Sequence, residues 1–176
     1  EEVQRVAGDA SYIEELYGQA VLSILSKTLT VRKETLEKMA SLQKNTPEEV
    51  QKLFETLDDD ELKEAFIAVA SKMNASDIHI EPQEKIFQIK YRIDGILYVF
   101  AHLRPERFAS LLSTIKEFAG MKIGVYQRIQ EGRFSVIIQE EVFRVDIRVS
   151  LIPGGYGETA VLRILPEQFE FSLEKL

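Results

Sequence analysis

Residues 87–101 read FQIKYRIDGILYVFA, and this stretch decides the fold. Phe87, Ile89, Tyr91 and Ile93 alternate with Gln88, Lys90, Arg92 and Asp94, the two-residue period of a half-buried strand. Asp94-Gly95 is the residue pair that most readily adopts positive φ in a two-residue hairpin turn, and Ile96 to Ala101 returns as the partner strand. Just upstream, Ile78 and Ile80 alternate with Asp77, His79 and Glu81. Downstream, Pro105 opens a helix to about Ala119, with Phe108, Leu111, Leu112, Ile115 and Phe118 on its inward face. A connection containing Gly120, Gly124 and Gly132 follows. Phe134 to Gln139 and Val142 to Ser150 then form a second hairpin. The segment from Ile152 to Gly157 reads as a flexible loop, and Thr159 to Leu165 as a last strand stopped by Pro166. Hairpins interrupted by a helix predict an α+β domain.

The first third has a different period. Ile13, Leu16, Tyr17, Ala20, Ile24, Leu25 and Leu29 recur at steps of three and four, an amphipathic helical stripe. A weaker helix is predicted from Lys33 to Gln43. Thr46-Pro47-Glu48-Glu49 is a helix start: Thr46 caps, Pro47 suits the first turn and Glu49 completes a capping box. Val50, Leu53, Phe54 and Leu57 supply that helix's buried stripe. Leu62, Ala65, Phe66, Val69, Ala70 and Met73 supply the next, after the acidic run at Asp58. The boundary is placed there, giving a helical segment over residues 1–57 and an α+β domain over residues 58–176.

Composition bounds the function. The 176 residues are 45% apolar and 29% charged, a globular balance. No apolar run approaches the roughly 20 residues of a membrane-spanning helix, and the acidic N-terminus has no signal-peptide pattern. With no cysteine, disulfides and thiolate chemistry are excluded. A soluble, cytoplasmic protein is expected. The net charge of −7 disfavours duplex DNA as a partner. Its distribution is uneven, however: residues 1–76 hold nine basic and fifteen acidic side chains, whereas residues 77–166 hold twelve and eleven, eight of them arginine. Arginine grips phosphate or carboxylate in a fixed geometry, so the placement of these eight matters more than the total.

In Phe143-Arg144-Val145-Asp146-Ile147-Arg148-Val149-Ser150 the apolar residues face a core, and Arg144, Asp146, Arg148 and Ser150 face the other way. The same alternation turns Lys90, Arg92 and Arg163 away from the apolar side, and Arg133 stands where the chain enters a strand. If these strands share one sheet, one of its faces is studded with guanidinium groups alternating with acids. Alternation alone favours a solvated face with cross-strand ion pairs of little energetic weight. Asp77, His79 and Glu81 share a face but are thin ligation for a transition metal, and no metal is expected. Gly154-Gly155-Tyr156-Gly157 leads into a strand and lacks the lysine of a phosphate-binding loop. No self-sufficient catalytic site emerges from these residues.

Five segments, in order, resemble those of the secretion-ATPase superfamily, the hexameric motors of type II secretion and type IV pilus assembly. They are Ala75-Ser76-Asp77-Ile78-His79-Ile80-Glu81, Tyr91-Arg92-Ile93-Asp94-Gly95-Ile96-Leu97, Gln130-Glu131-Gly132-Arg133-Phe134, Val145-Asp146-Ile147-Arg148-Val149-Ser150, and Gly157-Glu158 with Leu162-Arg163-Ile164-Leu165. Ile129 and Glu131 replace the family's usual proline and aspartate, and Arg128 alone remains of its usual basic pair. The resemblance implies the PAS-like domain that precedes the motor, an antiparallel sheet with helices packed on one side, with regulatory, nucleotide-sensing and ring-forming roles. It also implies that Arg133 and Arg148 reach the phosphates of a nucleotide held by the following domain, with Arg92 and Arg163 as secondary candidates. ATP and Mg²⁺ would belong to that motor domain, whose phosphate loop does not occur before Leu176, so this chain is expected to have no ATPase activity alone. The expected partners are the motor domain, neighbouring subunits of a hexamer, and an inner-membrane platform or cytoplasmic adaptor that holds the protein peripherally at the inner membrane. Three further readings follow. In one, the helices of residues 1–57 make the chain a docking module with no role at the nucleotide. In another, the sheet is a free-standing PAS-like ligand sensor, disfavoured for want of a cofactor motif. The plainest is that the arginines are solvated surface.

Overall fold

A computed structural model describes residues 28–138 and 143–166. The stripe from Ile13 to Leu25, the turn of the second hairpin and the last ten residues lie outside them. In chain order the elements are β1 (Thr28–Val31), α1 (Lys33–Met39), α2 (Pro47–Thr56), α3 (Asp59–Lys72), β2 (Asp77–Pro82), β3 (Phe87–Ile93), β4 (Ile96–Leu103), α4 (Pro105–Phe118), β5 (Gln130–Ile138), β6 (Phe143–Gly154) and β7 (Gly157–Pro166). The strands form one seven-stranded sheet in the order β1-β5-β6-β7-β2-β3-β4, an α+β architecture as the periods predict.

Local sequence fixes the element boundaries. Thr46 accepts from the Glu49 backbone N–H at the start of α2. At α3, Asp58 and Glu61 form a reciprocal capping box that satisfies two otherwise unpaired amides. Asp94 and Gly95 both take positive φ, 50° and 80°, so β3 and β4 turn as that dipeptide requires.

Three sequence expectations are corrected. The capping box read at Thr46 is half made: Thr46 accepts from the Glu49 N–H, but the Glu49 carboxylate accepts from the Lys44 N–H instead of that of Thr46. Leu29, read as the end of a helical stripe, lies instead in β1, which pairs parallel with β5 from Thr28 opposite Ser135 to Val31 opposite Ile138. Thr28, Thr30 and Val31 are β-branched, and burial of Val31 in the core outweighs the helical spacing of Leu29. The segment from Ile152 to Gly157 is not a loose loop. The β6–β7 ladder runs on through Pro153 opposite Glu158 to Gly154 opposite Gly157, leaving only Gly155 and Tyr156 in the turn.

The helices cover one face of the sheet. Val145, Ile147, Val149, Leu151, Ala160, Leu162, Ile78, Ile80, Ile89 and Tyr91 are buried beneath them. Tyr91 reaches from β3 and donates its hydroxyl to the Phe66 carbonyl in α3 at 2.9 Å, and burial pushes its phenol pKa far up, so the donor stays protonated. Tyr91→Phe should cost about 1 kcal/mol, read as a fall of about 2–4 °C in Tm for a chain of this size.

Candidate functional site

Register builds the site on the face the helices leave open. Arg133 in β5 stands opposite Arg148 in β6. Arg148 stands opposite Arg163 in β7, Arg163 opposite Asp77 in β2, and Asp77 opposite Arg92 in β3. All four arginines singled out from the sequence therefore lie in a single cross-strand row, with one aspartate between Arg163 and Arg92. Four strand spacings separate its ends, about 19 Å. Their alternating neighbours Phe134, Ile147, Val149, Leu162, Ile78 and Tyr91 are buried, which leaves each guanidinium no route except outward.

The row divides into two halves. Asp77 is 5% exposed and accepts from Arg163 Nε at 3.0 Å and from Ser76 Oγ at 2.8 Å, with Arg92 Nε at 3.3 Å. Arg92 also donates to the Gly95 carbonyl at 3.1 Å. Arg163 and Arg92 are thus tied in place. Arg133 and Arg148 are exposed and have no acidic partner among the described residues. Like charges directly opposite in adjacent strands are destabilising by a few tenths of a kcal/mol to about 1 kcal/mol. That cost is relieved when an anion is supplied from outside the sheet.

Burial by itself would raise the Asp77 pKa, but its hydrogen bonds from Ser76 and Arg163 and the charge of Arg92 outweigh it and hold the carboxyl below the ordinary range. A carboxyl depressed in the folded state stabilises the fold above its unfolded pKa of about 3.9 and loses that contribution as pH falls through the folded value. The urea midpoint of the unaltered chain should therefore fall more steeply between about pH 5 and pH 2 than that of Asp77→Asn.

Asp77, His79 and Glu81 do share a face, but their polar atoms are spent on one another and on cations. Glu81 is bonded to Lys90, and Asp77 to the arginines. Burial, then the nearby Arg92, lowers the His79 pKa and keeps the ring neutral. Among the described residues no group of three His, Cys, Asp or Glu side chains is arranged to hold a metal.

The structure adds a pair that the sequence reading did not assemble. Lys116 in α4 and Glu158 in β7 form a 2.6 Å ion pair with both side chains 2% exposed. Glu158 stands in the quoted Gly157-Glu158 segment, and Lys116 flanks the inward stripe of α4 beside Ile115. A charged residue at the margin of an apolar helical stripe was the available signal, but its partner lies 42 residues away.

Residues 57–176 match the Type II/IV secretion system protein family. The chain is 36% identical to the type II secretion system protein E of Aeromonas hydrophila, over 93% of this chain and 35% of that protein. It is 34% identical to the type IV pilus assembly ATPase PilB of Thermus thermophilus, over 87% of this chain and 16% of that protein. It is 41% identical to the putative type II secretion system protein E of Escherichia coli K12, over 64% of this chain and 22% of that protein. The chain thus spans between about a sixth and about a third of these relatives.

Proposed function

Since this chain belongs to the Type II/IV secretion system protein family, we propose that it is the regulatory, nucleotide-sensing and ring-forming portion of a hexameric ATPase. That motor would drive type II secretion or type IV pilus assembly. The observation that carries this reading is the adjacency of Arg133 and Arg148, directly opposite in β5 and β6, outward-facing and without an ion-pair partner among the described residues. Two arginines whose Cβ atoms lie about 5 Å apart on one sheet face carry side chains long enough to converge on one phosphate group and bond its oxygens. A rigid sheet pre-pays the entropy of presenting them.

In this reading the following domain of the same protein, or a neighbouring subunit, holds ATP and Mg²⁺. Arg133 and Arg148 approach the terminal phosphates as the domains close and stabilise the negative charge that builds there during transfer. Their contact also reports which nucleotide is present, because loss of the terminal phosphate removes the anion that relieves their mutual repulsion. Asp77 holds Arg163 and Arg92 in the same row, as structural neighbours. No described helix is long and apolar enough to cross a membrane. Cytoplasmic placement, with attachment to the inner membrane through a platform or adaptor protein, belongs to the same proposal.

In the full-length ATPase, Arg133→Ala and Arg148→Ala should each lower kcat for ATP hydrolysis with little change in Tm, since neither side chain holds a hydrogen bond or ion pair among the described residues. Undiminished turnover in both variants would reassign the sheet face to structural support.

A further inference from the structure

We propose that Lys116 and Glu158 are positioning residues that latch the connection between α4 and β5 and so aim Arg133. The inference rests on the nucleotide role of Arg133 proposed above. Lys116 joins three elements with one ammonium group. It pairs with Glu158 Oε2 at 2.6 Å on β7, donates to the Val125 carbonyl at 3.3 Å in the connection, and lies 4.5 Å from the centroid of the Tyr126 ring.

The connection is closed from its other side as well. The Gln130 side chain accepts from Lys122 N at 2.9 Å and donates to the carbonyls of Lys122 and Val125 at 3.2 and 3.1 Å. The Met121 N–H bonds the Lys116 carbonyl at 2.8 Å. The last residue of the clamp, Gln130, is three residues before Arg133 on the same strand. Movement of Val125 relative to β7 is therefore passed to the start of β5 over a very short length of chain.

Stability alone does not account for this pair. A buried ion pair is often no more stabilising than well-packed apolar residues of similar volume. Here the second carboxylate oxygen, Glu158 Oε1, is buried without a partner among the described residues, which adds a desolvation cost. What an apolar pair could not reproduce is the directional hold on Val125 and Tyr126. The outer surface of the connection is apolar: Ile123, Tyr126 and Ile129 are each at least 60% exposed. Without the internal latch these side chains would favour a different, more collapsed path.

The test uses the full-length ATPase with Glu158→Gln and, because a lone buried ammonium can prevent folding, the apolar double variant Lys116→Met/Glu158→Leu. Amide hydrogen exchange is followed at Met121 and Lys122, with ATP turnover measured in parallel. The double variant should keep its Tm, exchange those two amides about tenfold faster, and lose about 10²-fold in kcat with KM for ATP little changed. Unaltered exchange would overturn the latch, and faster exchange with unaltered kcat would overturn the positioning role. Arg133→Ala is run beside them. If it leaves turnover intact, the nucleotide reading has failed, while the exchange rates still decide whether the latch exists.

Discussion

A full-length ATPase carrying both Arg133→Ala and Arg148→Ala should turn over ATP about 10³-fold more slowly or worse, yet by less than the product of the two single losses. Inserted arginines contribute about 10³–10⁵ to phosphoryl transfer because they meet charge that develops only in the transition state. The proposed role predicts that scale in kcat rather than in KM. Non-additivity follows from the geometry. The two residues are direct cross-strand partners on one face, so they would address the same phosphate group, and removing either already breaks the shared contact. Arg148→Lys should recover little, since a lysine offers a point charge where a planar fork is needed. Strictly additive losses, with KM rising and kcat constant, would mean that the guanidiniums serve ground-state binding alone. A steady-state comparison of the four proteins decides between these outcomes.

Much of the fold is legible in the sequence because its signals are local. The Asp94-Gly95 turn, the Thr46 and Asp58 caps and the alternation of β3 and β6 each depend on residues within a few positions of one another. What was not legible is long-range. Nothing local in Thr28–Val31 announces a parallel partner at Ser135–Ile138 more than a hundred residues away. Parallel pairing also gives no hairpin signal. The tip of the β6–β7 hairpin was misread for the converse reason: Pro153 and three glycines are strong local breakers, but the register set farther down the ladder holds them in line.

The candidate site divides the same way. Alternation turns Arg92, Arg148 and Arg163 away from the core and leaves Arg133 only at the entrance to a strand, and it can say no more. That they share one row, with Asp77 between two of them, is a property of strand order and register. The Lys116–Glu158 pair escaped because burial of a lysine cannot be read from helical spacing when its carboxylate lies on a distant strand.

Gly132→Ala should cost about 3 kcal/mol, the upper end of overpacking losses, and about 6–12 °C in Tm. The reason is steric. A Cβ built at Gly132 would lie 2.3 Å from the Ala119 carbonyl oxygen and 2.9 Å from Ala119 Cβ. The obstructing atom is main chain at the C-terminal cap of α4, which cannot rotate aside as a long side chain would. Relief requires the end of α4 to separate from β5, and that end carries Lys116 and begins the latched connection. The methyl group should therefore act twice, through stability and through the aim of Arg133 on the next residue. Gly95→Ala offers the contrast. A Cβ there meets nothing within 4 Å, so its penalty comes only from the positive φ of 80°, about 1–2 kcal/mol, with no route to Arg133. Thermal unfolding of both variants beside ATP turnover of the full-length protein separates the two effects. Turnover per folded molecule should fall for Gly132→Ala and hold for Gly95→Ala, and an equal fall in both would break the proposed link between the close approach at Ala119 and the arginine row.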